Sequence, residues 1–397
     1  MKETHPATPS TRSVSLGMRK FVAPEVVFGA GSRRLAGRYA RNFGAERALL
    51  VTDPGVTAAG WAREVEQVLE EAEVPYSRFS AVSPNPRADE MMAGAEHYSA
   101  NGCDVIIAVG GGSVIDCAKG IGIVSSNRRN VLELQGVDKV TQPMPPLVCV
   151  PTTGGTSADV SQFVIVTDVE LRTKVAIISK SVVPDVSLVD PETLTTMDAF
   201  LTACTGIDAI VHAVEAYVSN AHSPLTDLHA LEAIRLIYPN LAACLRDPGD
   251  VALRAPVMLG SLEAGLAFSN ASLGAVHAMA HSLGGYLDLP HGECNTMLLR
   301  HVAAFNFDSA SDRYEQIGLA MGLDMRGMGQ THKQAAILNA IESLRADMGI
   351  TATLKSRGVS RGDVSALAEQ ALRDACLVTN PRWPNRRDLE VIYEEAL

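Results

Sequence analysis

Aromatic side chains make up only 5% of the 397 residues, and no two of the seven cysteines stand as a C-x-x-C pair. The cysteines (103, 117, 149, 204, 244, 294 and 376) are scattered and odd in number, which argues against a disulfide framework and against a thiolate zinc ribbon. They are expected to be reduced thiols of a cytoplasmic protein, most of them filling the core. Basic charge is also short. The 34 Lys and Arg stand against 45 Asp and Glu, a formal net charge of -11, which argues against nucleic acid or an anionic membrane as the main partner. Long hydrophobic runs are missing too. Stretches such as "DVIIAVGGG" and "PPLVCVP" are strand-length and broken by Gly or Pro, so no transmembrane segment is expected. The opening, "MKETHPATPSTRSV", has no hydrophobic core of a signal peptide, and residues 1–14 are expected as a disordered tail.

What is present is ordinary globular material, 47% hydrophobic and 20% charged, long enough for two or three domains. The first half alternates β-branched runs with helical patterns. "RALLVTD" (47–53), "DVIIAVG" (104–110), "PLVCVPTT" (146–153) and "VSLVDP" (186–191) read as strands, with the amphipathic "GWAREVEQVLEEAEV" after the first. Such alternation predicts a parallel sheet covered by helices, over residues 15–195. From about Thr195 long helical segments follow with no convincing strand, so 196–397 is expected to be all-helical. No internal repeat stands out.

"VGGGSVIDCAKG" (109–120) ends one predicted strand and opens a helix. Glycines let a backbone approach a phosphate, and the first N–H groups of a helix point at it with the positive dipole end. Gly111, Gly112 and Ser113 are therefore the expected pyrophosphate cradle, although a tight turn without a ligand would look the same. A rival, "FGAGSRRLAG" (28–37), begins like a dinucleotide fingerprint but carries Arg34 at the third glycine position. It reads better as a turn into a helix capped by Ser32. Asp53 ends "LLVTD", where a carboxylate can bond a ribose diol and repel a 2'-phosphate, favouring NAD; it fits equally as a turn residue of "DPG".

Three of the ten histidines fall in "AVHAMAHSLGGYLDLPHGE" (275–293). His277 and His281 stand four apart, as on one helix face, and His291 follows in a Pro-His-Gly turn. The spacing resembles H-E-x-x-H without its glutamate, since position 278 is alanine. Upstream, "GIDAIVHAVEAY" places Asp208 and His212 four apart in the same way. Two helical pairs and a turn histidine could converge on one ion. An Asp/His set without thiolate suits Fe(II), Zn(II), Mn(II) or Ni(II).

Together these pieces resemble the iron-containing (group III) alcohol dehydrogenase family, whose wider fold group includes glycerol dehydrogenase and dehydroquinate synthase. The motifs "GGGSVIDCAKG", "PTTGGTSADVS", "TGIDAIVHAVEAY", "AVHAMAHSLGG" and "LPHGECN" keep the family's order across nearly the whole chain. The resemblance implies an α/β dinucleotide domain, a helical domain and a site in the cleft between them. It implies Asp208, His212, His277 and His291 as metal ligands, with His281 beside them. In the first half it implicates Asp53, Asn85, Gly112, Ser113, Asp116, Thr152, Thr153 and Lys174 in cofactor binding, and gives the "GAGS" turn no cofactor role. Val114 stands where the family usually has Pro, and "PTTGGTSAD" puts Gly154 and Asp159 where it has Ala and Glu. "GLAFSNASLGAVHAMAHSLGG" and "CLVTNPR" bring the chain nearest to a subgroup described as alcohol dehydrogenase-like regulatory proteins.

The activity so implied is reversible hydride transfer between a small primary alcohol or aldehyde and NAD(H), on Fe(II) or alternatively Zn(II) or Mn(II). His281 is the candidate for carrying the alcohol proton, or else a packing residue beside the ligands. Phe163 and Phe268 are candidates for an apolar wall, while Cys294, His222, His229 and His301 are assigned to packing or the surface. A regulatory or sensor protein that kept both sites is the alternative. A dehydroquinate synthase-type lyase would need basic residues near the metal, and segments 200–230 and 261–298 contain no Lys or Arg. A homodimer or larger homo-oligomer is expected.

Overall fold

The computed structural model describes residues 17–397, so the tail expected over 1–14 lies outside it. Nine strands occur among the described residues: β1 (Glu25–Phe28), β2 (Ala48–Val51), β3 (Tyr76–Phe79), β4 (Val105–Gly110), β5 (Gly136–Val137), β6 (Leu147–Pro151), β7 (Phe163–Asp168), β8 (Thr173–Ile178) and β9 (Val186–Val189). Six form one sheet in the order β1-β9-β6-β4-β2-β3, with every pairing parallel. β2, β4, β6 and β9 are buried along their whole length, which is why they read as continuous apolar runs rather than alternating ones.

Alternate residues serve opposite layers. Leu49, Val51, Ile106 and Ala108 pack with Ile115, Ile121 and Met91 on one face. Leu50, Ile107 and Val109 pack with Ala40, Val65 and Leu69 on the other. The helix Trp61–Glu71 supplies that second layer by burying Trp61, Ala62, Val65 and Leu69, positions at helical spacing. A smaller sheet, β5-β8-β7, stands apart, and its β7–β8 pair is an antiparallel hairpin that the sequence reading did not anticipate.

The last strand ends at Val189 and long helices follow from Ala199. Two of them, Ala199–Val218 and Val251–Ala271, are long and apolar enough to cross a membrane by length and composition. Here the expectation drawn from run length needs correcting: small residues carry the apolar signal through Gly, Ser and Thr. Within the fold, 83% and 56% of their apolar windows are buried. A helix surrounded by other helices needs no polar stripe.

The "GAGS" turn also departs from expectation. Gly31, at φ 81, takes the cap position of a short 3-10 helix, Ser32–Leu35, and no side chain caps it. Ser32 is one residue too late, and its buried hydroxyl has no hydrogen-bond partner. The turn instead delivers Arg33 to three carboxylates, of which Asp190 is buried and Glu64 and Glu192 are partly exposed.

Candidate active site

Parallel pairing gathers the residues that follow neighbouring strands at one edge of the sheet. Val51 is opposite Ala108 and Gly110 is opposite Pro151, so Asp53, Gly111–Ser113 and Thr152–Thr153 leave the sheet side by side. The helix Gly112–Asn127 starts at Gly111 without a side-chain cap, and Gly112 and Ser113 line a cavity. Its first N–H groups are therefore available to an anion. Close packing requires the glycine: a Cβ on Gly112 would lie 2.5 Å from Thr156 Oγ1.

One turn into that helix, Asp116 Oδ2 accepts from Ile165 N at 3.2 Å. Burial pushes the Asp116 carboxyl up to about 6. Lys174 Nζ donates to Asn85 Oδ1 at 2.7 Å, and Asn85 Nδ2 donates to Asp288 Oδ1 at 2.6 Å. Both Asn85 and Lys174 line the same cavity, and burial lowers the Lys174 ammonium. Asp53 lies outside that lining. Its Oδ1 accepts from Val56 N at 2.8 Å and caps the helix Pro54–Ala59, as the turn reading of "DPG" requires.

The opposite wall comes from three helices. Ala199–Val218 presents Asp208, His212 and Glu215 on one face; Ala275–Leu287 presents His277 and His281; His291 opens His291–Asn306. Asp208 is the hub. Its Oδ1 is 3.8 Å from both His277 Nε2 and His291 Nε2, and its Oδ2 is 3.9 Å from His212 Nδ1. One ligand atom from each of the four lies within 4.8 Å of every other.

The chemistry of this set fits a divalent cation. Burial is the largest cause lowering the three imidazoles, His212 to about 4, His277 to about 3 and His291 well below the ordinary value. Burial thus favours their neutral form, so a buried carboxylate and neutral imidazole nitrogens converge beside the cavity. Among the described residues, the side-chain hydrogen-bond donor on Asp208 is Asn295 Nδ2, 2.6 Å from its Oδ1 and also 3.3 Å and 3.2 Å from His277 Nε2 and His291 Nε2. Asn295 Oδ1 and His212 Nδ1 are buried without partners. A concentration of acceptors in a low-dielectric interior is stabilised by a bound cation.

His281 stacks on His291 with ring centroids 5.3 Å apart, and its Nδ1 meets Asp374 Oδ2 at 2.8 Å. Its ring lines the cavity, as do His212, His277 and His291. Phe163 and Phe268 do form an apolar wall there, their centroids 5.8 Å apart, and Phe268 stacks on His212 at 4.3 Å. Cys294 is buried in the helical core. His222, His229 and His301 pair with Asp227, Glu263 and Glu395. Asp159 turns into the core, where its Oδ2 accepts from Ser187 Oγ at 2.5 Å.

Four residues at the site were not read from the sequence: Glu215, Asn295, Asp374 and Cys376. Glu215 and Asn295 did carry a signal, three after His212 and four after His291, on the same helix faces. Asp374 and Cys376, which group with His281, carried none.

Comparison with known proteins finds relatives over nearly the whole chain. Residues 23–191 match the family model described as iron-containing alcohol dehydrogenase, and residues 202–397 match that of the Fe-containing alcohol dehydrogenase family, C-terminal. The chain is 38% identical over 386 residues to 1,3-propanediol dehydrogenase of Klebsiella pneumoniae, covering 96% of this chain and 100% of that one. It is 33% identical over 377 residues to NAD-dependent methanol dehydrogenase of Bacillus methanolicus, covering 95% and 99%. The solved structure of a 1,3-propanediol oxidoreductase superposes with a TM-score of 0.93 at 37% identity, covering 96% of this chain and 100% of that one.

Proposed function

The chain belongs to the iron-containing alcohol dehydrogenase family, and from that premise we propose that it interconverts a small primary alcohol and its aldehyde with NAD(H). The observation that carries the reading is a juxtaposition. An uncapped helix start at Gly112–Ser113 and the buried Asp208–histidine set face one cavity. Hydride transfer needs that arrangement, with cofactor and substrate oxygen held by opposite walls.

Asp208, His212, His277 and His291 would hold the ion, Fe(II) in the first instance and Zn(II) or Mn(II) as alternatives. When bound, the ion supplies Lewis acidity toward the alcohol oxygen, and the nicotinamide supplies the hydride acceptor. Gly111, Gly112 and Ser113 would bind the pyrophosphate through backbone N–H groups, with Thr152 and Thr153 beside them at the end of β6. Asp53, at the end of β2, would face the adenosine ribose. Asn85, Asp116 and Lys174 would border the nicotinamide end. Phe163, Ile165 and Phe268 exclude water from the reacting centre, and the lack of Lys and Arg in 200–230 and 261–298 suits a neutral substrate. With Nδ1 engaged by Asp374, His281 would take the alcohol proton at Nε2.

The reading extends to a cytoplasmic homodimer or larger homo-oligomer, with a dinucleotide unit over 15–195, a helical unit over 196–397 and no nucleic-acid or membrane partner. The net charge of -11 supports the lack of a nucleic-acid partner, and seven free, buried thiols support the cytoplasmic reading.

The test is anaerobic purification, metal analysis, and NAD(H) turnover on short alcohols and aldehydes after reloading with Fe, Zn or Mn. Turnover together with loss of bound metal in His277→Ala is the expected result. Metal and NAD binding without turnover across the panel would instead favour a sensor. Retained metal and activity in His277→Ala would refute the ligand assignment.

A further inference from the structure

The helix that carries His277 and His281 begins without a cap of its own. Its N-cap is Gly274, which has no side chain to offer, and the start of the helix is buried. Unmade backbone hydrogen bonds in such a place are costly. Two side chains from elsewhere supply the acceptors. Glu215 Oε1 accepts from Val276 N at 2.6 Å, and Asn380 Oδ1 accepts from Ala275 N at 3.1 Å. Glycine is what admits them: a Cβ on Gly274 would stand 2.7 Å from Asn380 Oδ1 and 2.9 Å from Glu215 Oε1.

The second Glu215 oxygen goes to the imidazole of the following residue. Oε2 lies 2.6 Å from His277 Nδ1, and both side chains are almost wholly buried. One carboxylate therefore grips the backbone of the turn and the ring that the turn presents. With Nδ1 so engaged, Nε2 is the nitrogen left to face Asp208 Oδ1, 3.8 Å away.

We propose that Glu215 is a positioning residue for the cation site. By accepting the Nδ1 proton of His277 it fixes the tautomer whose Nε2 lone pair is free, aims that lone pair, and makes it a stronger ligand. The proposal rests on the reading that Asp208, His212, His277 and His291 hold a divalent ion.

Glu215→Gln separates this role from simple support of the fold. The glutamine oxygen can still accept from Val276 N, so the helix start remains satisfied. Its amide group then faces His277 Nδ1 as a donor, which moves the imidazole proton to Nε2 and blocks the ligand atom. Full-length protein, stripped of metal anaerobically, is titrated with Co(II) against a competing chelator, and the Co(II) visible spectrum is followed. Glu215→Gln is expected to bind Co(II) roughly 10–100-fold more weakly than the unmodified chain. NADH affinity and melting temperature of the stripped protein should hardly move. Equal Co(II) affinity would overturn the proposal, and so would a loss of Co(II) affinity matched by equal losses in NADH binding and melting temperature. Failure of the unmodified chain to bind Co(II) would overturn the cation-site reading and this inference with it. Should Glu215→Gln not fold, Glu215→Asp is titrated in the same way; it draws the carboxylate back from both Val276 N and His277 Nδ1. A loss of Co(II) affinity larger than the losses in NADH binding and melting temperature is then expected, equal losses overturning the proposal.

Discussion

Removing Arg33 should destabilise the α/β half, by an amount that the surroundings of its three carboxylate partners determine. Arg33 is 3% exposed. Nη1 donates to Asp190 Oδ2 at 2.6 Å and to Glu192, while Nε and Nη2 both reach Glu64 Oε2, at 2.9 and 2.7 Å. The guanidinium carbon stands 4.8 Å from the Trp61 ring centroid. In Arg33→Ala the three carboxylates fare differently. Glu64 and Glu192, at 41% and 34% side-chain exposure, return to water, and such pairs are worth about 0–1 kcal/mol each. Asp190 is wholly buried and keeps only the backbone N–H groups of Glu192, at 3.1 Å, and of residue 33, at 3.4 Å. Stranding a buried charge in this way costs roughly 3–5 kcal/mol, so Asp190 dominates the effect.

The assay is urea unfolding followed by tryptophan emission. Trp61 lies in the cluster and is 9% exposed, while the only other tryptophan, Trp383, is 62% exposed, so the emission change on unfolding reports mainly on Trp61. If the stranded charge is the cause, adding Asp190→Asn to Arg33→Ala should recover about half of the loss, on the order of 2 kcal/mol. A loss below about 1 kcal/mol for Arg33→Ala, or no recovery in the double variant, would refute the reasoning.

Gly112→Ala would set a Cβ 2.5 Å from Thr156 Oγ1 and 2.9 Å from Thr156 Cβ, so the start of the helix must move. The NADH dissociation constant, measured by fluorescence titration, should rise about tenfold or more with metal content unchanged; an unchanged constant would remove the cradle assignment. Asp116 predicts a pH effect. Burial raises its carboxyl from the ordinary 3.8 to about 6, so the folded chain holds a proton that the unfolded chain releases between those values. The stability it contributes is present below that window and lost as pH rises through it. Asp116→Asn should therefore show a smaller fall in melting temperature between about pH 4 and pH 7, and an unaltered fall would refute the shift.

The parts of the fold that could be read from the sequence are those where one residue's neighbours along the chain determine its surroundings. β2, β4, β6 and β9 are covered on both faces, so their continuous apolar runs identify them and the parallel sheet together. Asp208 with His212, and His277 with His281, announce shared helix faces by a spacing of four. Periodicity says nothing about which face lies opposite which. Glu215 is 62 positions from His277 and Asp374 is 93 from His281, so neither contact has a local signature. The Ser32 cap failed for a related reason. Residue preference favours serine at a helix start, but Gly31, at φ 81, takes the cap position one residue earlier. Run length missed the apolarity of helix Ala199–Val218, which is carried across small and polar residues and is buried among other helices. Residues that touch an ion or a cofactor must be of a few chemical types at a few spacings, so they stand out from the chain. Those that hold such residues in place need only arrive from somewhere with the right donor or acceptor, and Glu215 and Asn380 do so from opposite ends of the helical half.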